Sequence, residues 1–168
     1  MRFAYADPPY QGQAKLYSNE DIAKEVNYEL LIAYLNEFDG WALSLSSPSL
    51  RTILPMCPDD VRVMAWVKPF ASFKPGVGLA YAWEPVIVRG GRKRLRTEAT
   101  VRDWVAESIT LKRGLTGAKP AAFCRWIFEV LNINKVDEFV DVCPGTGAVT
   151  NAFAGWLETK GVQGELAV

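Results

Sequence analysis

A buried strand cannot continue through two consecutive prolines, because each fixes φ and removes a backbone donor. This chain meets that obstacle almost at once. The apolar run Phe3-Ala4-Tyr5-Ala6 reads as a buried strand and is followed directly by Asp7-Pro8-Pro9-Tyr10. The strand must therefore end in a stiff corner. At the carboxyl end of a strand, where open α/β sheets bind their ligands, that corner presents a carboxylate, free carbonyls and an aromatic ring. A carboxylate beside a rigid carbonyl aims two acceptors at one place and suits a substrate amino group. A tyrosine next to them offers a face on which a flat base can stack. A plain strand-to-turn corner is the alternative reading of the same four residues.

A second corner lies near the other end. Phe139-Val140-Asp141-Val142 is another apolar run, and it passes through Cys143-Pro144-Gly145-Thr146-Gly147 into a helical stretch from Val149 to Leu157. Glycines allow close approach of the backbone to a ligand, and a helix start offers free N–H groups. Tight strand-helix packing accounts for such a loop equally well when it is taken alone.

Between the corners, strand-like and helix-like segments alternate, which predicts an α/β fold with a mostly parallel sheet. A helix is expected within residues 19–38, with Ile22, Val26, Leu30, Ala33, Tyr34 and Phe38 as its apolar stripe. Strands are expected over Trp41–Leu45, Val61–Val67 and Leu79–Val88, the last two as a hairpin, with a short helix over Ser49–Met56. Residues 90–117 read as a long, polar, partly helical excursion. An amphipathic helix over Pro120–Leu131 and a final strand over Glu165–Val168 complete the expectation. At 168 residues, 49% apolar and 23% charged, the chain fits one globular domain with helices on both sheet faces.

Composition removes several chemistries. There is no histidine, which excludes a histidine base, a Ser-His-Asp triad and histidine-ligated metals. Cys57, Cys124 and Cys143 are too scattered for a metal pair, so no metal site is expected and reduced thiols in a cytoplasmic protein are. No apolar run is long enough to cross a membrane, and no signal peptide is expected. Net charge is zero, but Arg89-Gly-Gly-Arg92-Lys93-Arg94-Leu-Arg96 holds five cations and no acid, with Lys112 and Arg113 further on. Such a cluster suits phosphates, and a solvated hairpin tip is the other reading.

Taken together, the two corners resemble those of the S-adenosylmethionine-dependent amino-methyltransferases that modify N6 of adenine or N4 of cytosine. Their cofactor loop usually reads Asp-Pro-Phe-x-Gly-Ser-Gly. Here Asp141 and the glycines match, while Cys143 stands where the phenylalanine usually stands and Pro144 follows it. The order, catalytic corner first and cofactor loop last, resembles the circularly permuted members with their small Rossmann-like fold. Trp66-Val67-Lys68 and the later Trp83-Glu84 are similar to segments of the RNA-adenosine methyltransferase family. Lys119-Pro120 resembles the segment that leads into the helix flanking the cofactor's methionine end, without the usual threonine and glutamine before it.

The resemblance implies S-adenosylmethionine as cofactor and DNA, rather than RNA, as the expected substrate. It assigns catalysis to Asp7, Pro8, Pro9 and Tyr10. It places Ala6, Asp7, Lys119, Asp141, Val142, Cys143, Pro144, Gly145, Thr146 and Gly147 around the cofactor. Substrate contacts fall to Tyr10, Lys68, Arg89, Arg92, Lys93, Arg94, Arg96, Lys112 and Arg113, although a snorkelling strand-end lysine also explains Lys68. Cytosine N4, adenosine in RNA and a catalytically silent binding subunit are the rival functions; Asp7, where cytosine enzymes more often have serine, tilts the choice to adenine. A dinucleotide oxidoreductase would explain the glycines but not the first corner. The ribose-binding acid and the usual third strand have no counterpart, which leaves three readings: a smaller sheet suffices, a homodimer or partner subunit covers the sheet edge, or the protein has decayed into a binding module.

Overall fold

A computed structural model describes residues 1–9, 26–70, 76–109 and 118–165. Strand β1 (Arg2–Ala6) is followed by helix α1 (Tyr28–Leu35) and strand β2 (Gly40–Ser44). A short helix, α2 (Leu50–Ile53), comes next, flanked by single 3-10 turns at Ser47–Ser49 and Leu54–Met56. Strands β3 (Arg62–Val67), β4 (Trp83–Gly90) and β5 (Trp104–Ala106) precede helix α3 (Ala121–Val130), strand β6 (Glu138–Asp141) and helix α4 (Ala148–Glu165).

The six strands form one sheet in the order β5-β3-β4-β2-β1-β6. Strand β1 pairs in parallel with both β2 and β6, and β5 pairs in parallel with β3. Strand β4 runs antiparallel to both of its neighbours. All strands but β4 therefore point the same way, and their carboxyl ends gather on one edge of the sheet, the edge at which β4 begins.

Alternation along the strands divides the core into two layers. Phe3 and Tyr5 of β1 face α3 and α4 together with Val86 and Val88 of β4. Ala4 and Ala6 face the opposite side, with Trp41 and Leu43 of β2, against α1 and Ile53 of α2. Sheet and helices thus form three layers, as the alternating sequence pattern predicts.

Four expectations need correction. Helix α1 turns Tyr28, Ile32 and Leu35 inward, whereas Leu30 is 69% exposed and Ala33 and Tyr34 also face outward. Asn27 sets this phase, because its side chain accepts a hydrogen bond from the Leu30 amide (3.0 Å) and starts the helix at Tyr28. Ile22 lies outside the described residues. Strand β4 begins at Trp83, not Leu79, because its partner β3 ends at Val67, opposite Trp83. The described part of the excursion is not helical; it contains β5, which extends the sheet beside β3. Finally, α4 extends to Glu165, which therefore starts no strand; the rest of the expected strand, residues 166–168, lies outside the described residues.

Candidate active site

The Asp7 corner and the glycine loop are neighbours. Tyr5 stands opposite Asp141 in the β1–β6 register, and the Val142 amide donates to the Tyr5 carbonyl at 2.8 Å. The two strands therefore release Asp7 and Val142 side by side at the carboxyl edge. Ala6 is fully buried just below. Tyr28, from the start of α1, donates its hydroxyl to the Pro9 carbonyl (3.2 Å) and braces the corner from the other side. Burial pushes the Tyr28 phenol up to about 12, with Cys143 and Asp7 adding to the effect, so at neutral pH it remains a donor.

Three charged side chains from three other segments converge on Asp7. Lys119, whose side chain is 6% exposed, places Nζ 3.1 Å from Asp7 Oδ1 and 3.1 Å from Glu84 Oε2. The other oxygen of Glu84 takes the Lys68 ammonium. Lys68 and Lys119 also lie over the Trp66 ring, 4.7 and 5.1 Å from its centroid. Trp66 is fixed in turn by its indole N–H, which donates to the Glu107 carbonyl at 2.7 Å. Two acids and two cations balance, which is how a low-dielectric site can hold so many charges.

The balance is uneven at Asp7. Burial raises its pKa and Glu84 adds to the rise, while the attraction of Lys119 and its hydrogen bond oppose it; the outcome lies above the ordinary carboxylate value. At Glu84 burial also works against ionisation, but two ammonium groups outweigh it and the pKa is lowered. Glu84 is thus the firmly charged member of the cluster and Asp7 the tunable one.

The loop after β6 is built on left-handed glycines, Gly145 at φ +47° and Gly147 at φ +72°. A side chain at either position would be strained. Asp141 closes the loop onto the start of α4 by accepting the Thr150 hydroxyl at 2.9 Å through Oδ2. Its Oδ1 is buried and makes no hydrogen bond among the described residues. Burial raises the pKa of Asp141, against the hydrogen bonds from Thr150. The Cys143 thiol is pushed up to about 11, again chiefly by burial, with the Asp7 amide opposing, and so stays protonated at neutral pH.

The structure brings together Ala6, Asp7, Pro8, Pro9, Lys68, Lys119 and the loop from Asp141 to Gly147. Tyr10, Lys112 and Arg113 lie outside the described residues. Lys119 places its ammonium between the carboxylates of Asp7 and Glu84, beside the corner. The arginine run is displaced. Strand β4 starts at the active edge with Glu84 and ends at the other edge with Gly90, about 20 Å away at strand rise. There Arg89 is held by Asp60 (2.7 Å) and Arg92 by Asp137 (2.7 Å), so both brace the fold at the edge away from Asp7. Lys93 and Arg96 are exposed beside them, and Arg94 is partly buried.

Sequence reasoning singled out Trp66 and Glu84 only through the resemblance and gave them no site role, and it did not single out Tyr28. An acid opening the apolar strand Trp83–Gly90 was a legible signal for Glu84; Tyr28 carried none, because only the tertiary fold sets it against Pro9.

No family model matches this sequence, and no curated protein matches it. Among solved structures, the fold is similar to the crystal structure of the M1.HpyAVI–SAM complex, with a TM-score of 0.60 and 16% identity over 94% of this chain and 78% of that one.

Proposed function

We propose that this protein is an S-adenosylmethionine-dependent methyltransferase acting on the exocyclic N6 of adenine in DNA by direct in-line attack. One observation carries the reading: the Asp7 corner and the glycine loop leave adjacent parallel strands at the same edge, so an amine acceptor and a cofactor cradle face one space. The likeness of the fold to the M1.HpyAVI–SAM complex supports it.

The loop fits the cofactor's methionine end. The buried Asp141 Oδ1, which makes no hydrogen bond among the described residues, can accept from an ammonium group, and the left-handed glycines keep Cβ atoms away from a ligand. When bound, the cofactor supplies an electrophilic methyl group on a sulfonium. The chain's own residues do the rest. The Asp7 carboxylate and the Pro8 carbonyl accept hydrogen bonds from the adenine amine and turn its lone pair toward the methyl. Tyr10 stacks on the base, which must leave a duplex to reach the corner. Lys119 holds one Asp7 oxygen in place and keeps enough of the carboxylate ionised to accept. Orientation of this kind can supply roughly 7–11 kcal/mol.

Incubation with unmethylated DNA and S-adenosylmethionine, followed by nucleoside mass spectrometry, should yield N6-methyladenine that disappears with Asp7→Ala while cofactor affinity persists. A near-parental rate in that variant would refute the assignment. Adenosine in RNA is the second reading. It is favoured by the convergence of Trp66, Lys68 and Glu84, the residues similar to the RNA family, on the same cluster as Asp7. The same assay with RNA decides between them.

A further inference from the structure

Beside the active edge, an open groove of about 630 Å³ runs between α3 and the segment from Arg94 to Val105. It begins near Ala122, three residues past Lys119, and follows α3 as far as Glu129, about 10 Å along the helix. Three arginines line it: Arg94, Arg102 and Arg125. None of the three makes an ion pair with a carboxylate among the described residues. Arg94 donates instead to the carbonyls of Ala99 (3.2 Å) and Glu129, which fixes its direction without cancelling its charge. Of the two acids on the walls, Glu98 already accepts from the Leu95 amide (2.6 Å) and the Asn132 side chain (3.3 Å). Trp104 is 43% exposed on the groove wall, with the Arg102 guanidinium 5.3 Å from its ring centroid. This differs from the pattern on Arg62, Arg89 and Arg92, each of which an aspartate neutralises.

We infer that this groove is the track of a single-stranded nucleic acid leading away from the Asp7 corner, with Trp104 as a base-stacking platform and Arg94, Arg102 and Arg125 as phosphate contacts. The inference rests on the proposed function for the identity of the corner, but the groove's own chemistry selects the partner. Unpaired guanidinium groups beside an exposed indole form the combination that binds single strands without reading sequence. A base can lie on Trp104 only once it is unstacked, which selects a single strand over a duplex.

The test is fluorescence anisotropy with a labelled 20-nucleotide single-stranded DNA of mixed sequence, alongside RNA and duplex of the same sequence. Trp104→Ala should weaken single-strand binding at least about fivefold, and Trp104→Phe should retain most of it. The double variant Arg102→Gln/Arg125→Gln should flatten the dependence of log affinity on log salt by about 1.4, at roughly 0.7 per phosphate for single strands. Circular dichroism melts check that each variant folds. Parental affinity and salt slope in these variants would overturn the inference, as would duplex binding as tight as single-strand binding and equally weakened by Trp104→Ala. Tighter binding of RNA, lost in the same variants, supports the groove and assigns its strand to RNA. Because the readout needs no methyl donor, Trp104-dependent binding without methylation would sink the methyltransferase reading and leave the groove. Methylation with unaltered binding in the variants would sink the groove alone.

Discussion

At Asp7, burial and Lys119 pull in opposite directions, and the surrounding charges set the pH range in which the carboxylate can accept a hydrogen bond. On the methyltransferase reading, kcat falls on the acid side as Asp7 takes up a proton. Lys119→Met removes the attraction, so the pKa rises further and the acid limb moves to higher pH. Glu84→Gln removes a like charge, so the limb moves to lower pH. Both should slow transfer at least tenfold, but the opposite displacements in a kcat–pH profile are what a merely structural role could not produce. Breaking a buried ion pair costs about 3–5 kcal/mol, so both variants need a melting control. Asp137 poses a question of stability instead. Its side chain is 1% exposed; burial works against ionisation, yet hydrogen bonds from Arg92, the Asn134 amide and the Met1 nitrogen outweigh it and hold the pKa at about 2. A depressed carboxylate stabilises fully above its unfolded value near 4, and that share is lost as pH falls through 2. Urea melts from pH 5 to 2 should show the parent losing about 2 kcal/mol that Asp137→Asn does not lose. The Asp7 corner and the glycine loop were legible in the sequence because each is a contiguous run whose backbone chemistry is local. The Asp7–Lys119–Glu84–Lys68 cluster was not, since it exists only once four separate segments meet.

The elements carry their own demands on sequence, clearest where β2 begins beside the end of β4. A Cβ on Gly40 would lie 2.4 Å from the Gly91 nitrogen, and one on Gly90, at φ +66°, would lie 2.4 Å from the Asp39 carbonyl oxygen. Both clashes are with backbone, which cannot swing aside. Gly40→Ala should therefore destabilise by about 1–3 kcal/mol, the usual range for forced overpacking. Gly155 is the counterexample within α4, because an added Cβ there meets nothing within 4 Å. Gly155→Ala should stabilise by about 0.5–1 kcal/mol through helix propensity. Thermal melts of the two variants side by side check both signs, and a stable Gly40→Ala would mean that the backbone at this junction gives way to the added Cβ. Most element types were readable, because Trp41–Leu45 and Val61–Val67 are apolar runs bounded by turn residues. The phase of α1 was not. Leu30-Leu31-Ile32-Ala33 is apolar all round, so periodicity cannot choose a face, and the Asn27 cap chooses it instead. The excursion misled for a related reason: β5 is only three residues long and owes its strand geometry to pairing with β3.

Across the whole molecule, the sheet divides the labour between its faces. Helices α3 and α4 cover one face and α1 and α2 the other; the glycine loop draws on both, with Val142 and Cys143 packed toward α1 and Val149 at the start of α4 packed toward α3. The hairpin of β3 and β4 was legible in the sequence, but the insertion of β4 between β2 and β3 was not, because it depends on a pairing with β2 that no local pattern encodes. The two faces should respond differently to damage. Phe128 of α3 is fully buried, with ring centroids 5.2 Å from Phe139 of β6, 5.2 Å from Phe153 of α4 and 5.4 Å from Trp156 of α4. This aromatic knot fixes α4 against β6, and with it the Thr150–Asp141 bond that closes the loop. Ile32 of α1 is 3% exposed on the other face and touches none of these groups. Phe128→Ala should cost about 3–5 kcal/mol and Ile32→Ala about 2–5 kcal/mol, so both are core lesions of comparable size. Their effects on ligand binding should part. Measured by calorimetry at a temperature where each variant remains folded, affinity for S-adenosylmethionine should fall several-fold more in Phe128→Ala, which loosens the Asp141–Thr150 closure, than in Ile32→Ala. Equal losses would show that affinity follows global stability, and that the aromatic knot holds the loop no more firmly than α1 does.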